Sequence, residues 1–151
     1  MVTVHETAGG LGLVVECRGE VGFEELYRAK IALGERLAAT PSLCFILGDF
    51  TASTLQADAA AIERFAELDV RLAKHAREGL PVAIVAPGDA TFGLARMWQV
   101  VSESSRLTSQ IFRKRAEADN WVRQQVRTRF GVELPPFGEG EPERAFGAPR
   151  T

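Results

Sequence analysis

Apolar and polar positions change their period along the chain, and each change marks an element. Val2 and Val4 alternate with polar neighbours. After Gly9-Gly10 the alternation resumes, with Leu11, Leu13, Val15 and Cys17 set against Gly12, Val14, Glu16 and Arg18. A period of two on both sides of a glycine turn predicts an antiparallel hairpin. From Phe23 the period lengthens. Leu26, Ala29, Leu33 and Leu37 form one stripe, with Glu24, Glu25, Arg28, Glu35 and Arg36 largely outside it, so a helix half buried on a sheet is expected up to Thr40-Pro41. Leu43-Cys44-Phe45-Ile46-Leu47 is apolar on both faces, as befits a strand between two helical layers.

A hydroxyl-rich turn, Thr51-Ala52-Ser53-Thr54, then leads into a long helix. Ile62, Phe65, Leu68, Leu72 and Ala76 recur at helical steps between Ser53 or Thr54 and Glu78. Ser53 and Gln56 have the spacing of a capping box, Asp58 adds negative charge to the first turn, and Gly79 is the stop. Pro81-Val82-Ala83-Ile84-Val85 is a second doubly apolar strand, parallel to the first because a long helix joins them. Gly88-Asp89-Ala90-Thr91 repeats the step from strand to helix. The helix runs from about Phe92 to Ser104 with Leu94, Met97, Trp98 and Val101 inward. A strand over about Ser109 to Phe112 and a helix containing Ala118, Trp121, Val122 and Gln125 complete the order. The prediction is an α/β fold, a mixed sheet of five strands whose later members are parallel, with four helices. Phe45, Ile46, Leu47, Val82, Ile84 and Val85 are its expected core.

Composition narrows the setting. At 151 residues, 46% hydrophobic and 25% charged, the chain has room for one ordinary globular core, assigned to residues 1–130. Residues 131–151 turn to Gly, Pro and Glu, a tail without a core of its own. Phe130, Phe137 and Phe146 would pin that tail to the body or to a second subunit, hence the expectation of a homodimer. A formal charge of -2 argues against non-specific nucleic-acid binding. No apolar run reaches the roughly 18 to 20 residues of a membrane span, and the opening Met1-Val2-Thr3-Val4 lacks the pattern of a signal peptide, so the expected address is the cytoplasm. Cys17 and Cys44 lie in apolar segments and are expected to be buried, reduced thiols.

Enzyme chemistry finds little to stand on. The chain has no Gly-x-Ser-x-Gly elbow and no Walker loop; Gly9, Gly10 and Gly12 lead into a strand where a phosphate loop would lead into a helix. The two histidines, His5 and His75, fall on separate elements, so neither a metal site nor a catalytic pair is expected, nor any cofactor. Asp49 and Asp89, each near the carboxyl end of a central strand, are the carboxylates placed as a candidate pair; as turn residues they would bond nearby backbone instead. The expected site is the carboxyl edge of the sheet, where open α/β folds bind ligands. Its candidates are Asp49, Thr51, Ser53, Thr54, Asp58, Asp89, Thr91 and Arg96, with helix N-H groups after Thr54 forming a weak anion-accepting corner beside Gly88 to Thr91.

The hairpin ending in Gly19-Glu20, the strand end Leu47-Gly48-Asp49-Phe50, Val82-Ala83-Ile84-Val85-Ala86, the helix Phe92-Gly93-Leu94-Ala95-Arg96-Met97, and Ile111-Phe112-Arg113 with Ala118 and Trp121 together resemble the SpoIIAA-like family. The resemblance covers about residues 1–126. It implies a STAS-like fold of bacterial type, shared with anti-sigma-factor antagonists and similar in shape to lipid-binding CRAL-TRIO domains. In the antagonists a serine at the start of the helix after the central strand is phosphorylated. Ser53 is the nearest position here, though Asp49-Phe50-Thr51-Ala52-Ser53-Thr54 lacks the family's Asp-Ser-Ser or Asp-Ser-Thr context, and a helix cap is the other role open to it.

Two functions follow from that resemblance. The first is a non-enzymatic regulatory module that binds a protein partner through the surface around Thr51 to Asp58 and Pro87 to Thr91. The second is a carrier for a small apolar ligand, held in a pocket lined by Phe50, Leu55, Phe92 and Met97.

Overall fold

A computed structural model describes residues 1–103 and 106–137, and the backbone of residues 144–145. Its strands are β1 (Val2–Thr7), β2 (Gly12–Gly22), β3 (Phe45–Gln56), β4 (Pro81–Val85), β5 (Thr108–Phe112) and the two-residue β6 (Arg144–Ala145). Its helices are α1 (Phe23–Ala39), α2 (Ala59–Leu72), α3 (Asp89–Val101) and α4 (Arg115–Phe130). They form one sheet in the order β5-β4-β3-β2-β1-β6. β1 is antiparallel to β2 and to β6, whereas β2, β3, β4 and β5 are mutually parallel. The α/β class, the amino-terminal hairpin, the mixed sheet and the four helices are those the sequence predicts.

Strand order dictates the layers. β2, β3, β4 and β5 advance across the sheet in one direction, and right-handed crossovers in one direction place every connecting helix on the same face. Accordingly Leu26, Leu33 and Leu37 of α1, Ile62, Phe65 and Ala66 of α2 and Trp98 of α3 share a core with Leu13, Val15, Cys17, Ile46 and Val82. The opposite face is left to α4, which follows the last parallel strand. Ala118, Val122 and Val126 pack there on Val14, Phe45, Leu47, Ala83 and Val85. Four turns of helix cover too little of that face, and the chain after α4 supplies the rest. Leu134 is buried, the Phe137 ring packs on Phe45 at a tilt, 5.1 Å between ring centroids, and Arg123 donates to the Leu134 carbonyl at 2.9 Å. The first part of the expected tail is thus a cover for the core. Phe146 lies outside the described residues.

Several boundaries differ from the prediction; one is the end of α2, which stops at Leu72, short of Glu78, and is followed by a single 3-10 turn over Ala73–His75. Thr51 to Thr54 belong to β3, which runs on to Gln56 because its partner β2 is an equally long strand, paired from Gly12↔Phe45 to Gly22↔Gln56. α2 therefore starts at Ala59, and Asp58 is its cap, accepting from the Ala61 N-H at 2.8 Å; the capping box at Ser53 and Gln56 is absent. α3 begins at Asp89, one turn earlier than predicted. One register feature matters for the site. Between the pairs Glu16↔Asp49 and Arg18↔Ala52, β3 carries two residues to one in β2. This bulge shifts the alternation, so Phe50 and Leu55, five positions apart, face the same side.

Candidate functional site

The face covered by α1, α2 and α3 is incompletely filled. Between those helices and the sheet lies a cavity of about 100 Å³. Its floor is built from alternate strand residues: Val15 of β2, Ile46, Gly48 and Phe50 of β3, Val82 and Ile84 of β4. Gly48 is the gap in that floor. A Cβ placed there would meet nothing closer than 3.7 Å, from Phe50, so the neighbours do not forbid a larger side chain. Gly12 is the contrast, since a Cβ there would fall within the ring of Phe45. Ile84, expected in the closed core, is only partly buried because it borders this space.

The walls come from the helices. Leu26, Lys30 and Leu33 stand on α1, Ile62, Phe65 and Asp69 on α2, Thr91, Leu94, Ala95 and Trp98 on α3. Within this apolar shell sits one charged cluster. Asp69 Oδ2 accepts from Lys30 Nζ at 2.7 Å and from Trp98 Nε1 at 2.6 Å. The Asp69 side chain is 8% exposed and that of Lys30 18%. The Lys30 ammonium also stands 5.5 Å from the ring centre of Phe65 and 5.7 Å from that of Trp98, so aromatic faces supply the remaining favourable field. A buried ion pair gains little over apolar packing of equal volume, because desolvation of both charges offsets their attraction. Its place on the wall of a cavity is what distinguishes this one.

The predicted site residues are divided by the sheet. Phe50, Leu55 and Thr91 line the cavity. Asp49, next to Phe50 in the strand, points to the α4 face, where its Oδ2 accepts from Arg115 Nη1 at 3.0 Å. Its Oδ1 accepts from the Thr51 N-H at 2.9 Å and from the Thr51 hydroxyl at 2.5 Å. Arg115 also donates to Asp119 at 3.0 Å. Burial works against the Arg115 charge, yet the bonds and charges of Asp119 and Asp49 outweigh it and hold the guanidinium above its ordinary range. Asp89 is exposed and paired with Arg113 at 2.7 Å. Asp49 and Asp89 are thus each matched to an arginine and are no carboxylate pair.

The anion-accepting corner does not form as predicted. Asp58 occupies the amino end of α2 with its own carboxylate, the Ser53 hydroxyl donates to the Phe50 carbonyl at 3.2 Å, and Thr54 is an exposed strand residue. Arg96 and Met97 are exposed on α3, and Phe92 lies under the Arg113 guanidinium, 4.1 Å from ring centre to Cζ; none of the three lines the cavity. Cys17 and Cys44 are free thiols in the two separate cores. Burial pushes Cys17 up to about 12 and raises Cys44 as well, so both stay protonated thiols near neutral pH.

The sequence carried a signal for the cluster. Lys30 falls four residues after Leu26 and three before Leu33, and Asp69 four after Phe65 and seven after Ile62. Each is a charged residue on the apolar stripe of its helix, of opposite sign on consecutive helices.

No family model matches the chain, and no curated protein does. Among solved structures, an uncharacterised protein of the DUF3478 family from Shewanella loihica PV-4, described as having a SpoIIAA-like fold, superposes with a TM-score of 0.53 at 18% identity. The match covers 81% of this chain and 92% of that one. The architecture is therefore SpoIIAA-like. Among the described residues, no helix is long and apolar enough to cross a membrane.

Proposed function

We propose that this chain is a non-enzymatic binding module that takes a small apolar molecule into the cavity between the sheet and helices α1, α2 and α3. The observation that carries this is the cavity itself, a nearly continuous apolar lining around about 100 Å³. Protein interiors pack to the density of organic crystals, and side chains that line an unfilled apolar hollow forgo the dispersion contacts a packed neighbour would give them. Gly48 leaves room that a larger residue would fill. A binding role accounts for the persistence of a space that stability alone would close. The test is a titration of the full chain with 2-methylbut-1-ene, followed by NMR. Shifts should concentrate at Phe50, Leu55, Leu94 and Leu107 and disappear in Gly48→Val, which fills the floor. Shifts scattered over the surface, or unchanged in G48V, would refute the proposal.

A second reading has its own observation. Met97 and Val101, both expected to face inward, are 39% and 42% exposed, and with Val100 at 67% they lie on the outer side of α3. Positions spaced by three and four share one helix face, and a contiguous apolar face of this kind suits a protein partner, as a regulatory module would require. A photo-crosslinker at position 100 should then capture one partner that Val100→Glu, used as competitor, fails to displace. Equal displacement by V100E and by the unaltered chain would eliminate this reading.

A further inference from the structure

An ammonium group has three N-H donors and no acceptor. Among the described residues, the hydrogen bond made by Lys30 Nζ is the one to Asp69. The group is nonetheless held on the wall of the cavity between two aromatic rings, away from most of its water. The oxygen it meets is already taken twice, by Lys30 and by Trp98. The ammonium keeps two N-H donors beyond the one given to Asp69, and a guest that uses them supplies an acceptor.

We infer that the guest is a small neutral molecule, largely apolar, bearing one hydrogen-bond-accepting oxygen that docks on the Lys30 ammonium. This rests on the cavity being the binding site proposed above. Three features set the chemistry. The apolar walls require an apolar body. Asp69 already balances the charge of Lys30, so a carboxylate guest would bury a second negative charge beside the first, at a cost that a carbonyl, ester or ether oxygen avoids. The volume guides the size: an apolar cavity of ~150 Å³ holds benzene, so this one, of about 100 Å³, suits a body of about four or five non-hydrogen atoms. Thr91 adds a second polar atom to the lining, a hydroxyl that makes no hydrogen bond among the described residues.

The experiment uses the full chain and three probes of equal size: 2-methylbut-1-ene, methyl acetate labelled with ¹³C at the carbonyl, and propionate. The bound ester should show the downfield carbonyl shift of an oxygen hydrogen-bonded to an ammonium. The affinity ratio of ester to alkene should be about tenfold larger in the unaltered protein than in Lys30→Met/Asp69→Asn, which removes both charges together and leaves Trp98 an acceptor. Taking a ratio between two proteins cancels the different hydration of the probes. An unshifted carbonyl, or an unchanged ratio, overturns the inference while leaving alkene binding to support the cavity as a site. Tighter binding of propionate than of methyl acetate overturns the neutral guest. If the double variant does not fold, the carbonyl shift in the unaltered protein decides. Failure of all three probes to bind defeats the proposed function as well.

Discussion

Single residues here owe their behaviour to the face of the sheet they occupy. Asp49 and Phe50 are neighbours in the chain, yet one is matched to Arg115 under α4 and the other borders the cavity under α1 to α3. Cys17 illustrates the energetic side. Burial is the main cause that lifts its thiol from 9.0 to about 12, against the lowering effect of Lys30. Below 9 the thiol is protonated whether folded or unfolded, and it contributes no pH dependence. As pH rises from 9 towards 12 the unfolded chain releases the proton and the folded chain keeps it, so stability falls with pH through that window. Urea melts of the unaltered protein and of Cys17→Ala should therefore converge as pH is raised from about 8 to about 10.5, the alkaline loss being smaller in the variant. Parallel curves would mean that Cys17 ionises as freely in the folded state as in the unfolded.

At the scale of elements, the outcome turned on where β3 ends. The hydroxyl-rich segment Thr51 to Thr54 has turn chemistry by itself, and Ser53 with Gln56 has the spacing of a cap. Pairing with a β2 strand of eleven residues outweighs both preferences and carries β3 on to Gln56. The cap then passes to Asp58. Asp58→Ala should cost about 1 kcal/mol in denaturant melts, whereas Ser53→Ala, which loses a partly exposed bond to the Phe50 carbonyl, should cost less than about 0.5 kcal/mol. The reverse ranking would restore Ser53 as the helix start. A phosphate on Ser53 would likewise stand on a strand near the bulge, away from the helix terminus that the resemblance to the antagonists would require.

For the molecule as a whole, one-directional strand order puts three helices on one face and one on the other, and each face bears a consequence. The three-helix face has room for a cavity. The one-helix face needs residues 132–137 as cover, with Leu134 and Phe137 closing over Phe45 and α4. Phe137, whose exposure would have called for a second subunit, has its seat within its own chain. Truncation after Phe130 should lower stability by on the order of 3 kcal/mol, the value of uncovering two large apolar side chains, and should be read by urea denaturation at constant protein concentration. A loss below about 1 kcal/mol would show that this segment adds nothing to the core.

The periodicity of apolar positions was enough to determine the α/β class, the hairpin, the bounds of α1 and the doubly covered strands, because those properties follow from which side chains must leave water locally. Lys30 and Asp69 stand on the apolar stripes of their helices, a local anomaly that the sequence carries but that a reading of the apolar positions alone passes over. That they meet each other, and Trp98 as well, was decided only by the crossovers that stack α1, α2 and α3 on one face. The same holds for the site. An edge of the sheet is a ligand crevice where strand order reverses, and here β2 to β5 advance without reversal, so the edge around Asp49 and Asp89 closed into arginine pairs. The open space formed instead beneath the helices, where Gly48 has no side chain to fill the floor and a bulge in β3, set by pairing with β2 and by no local pattern, turns Phe50 towards it.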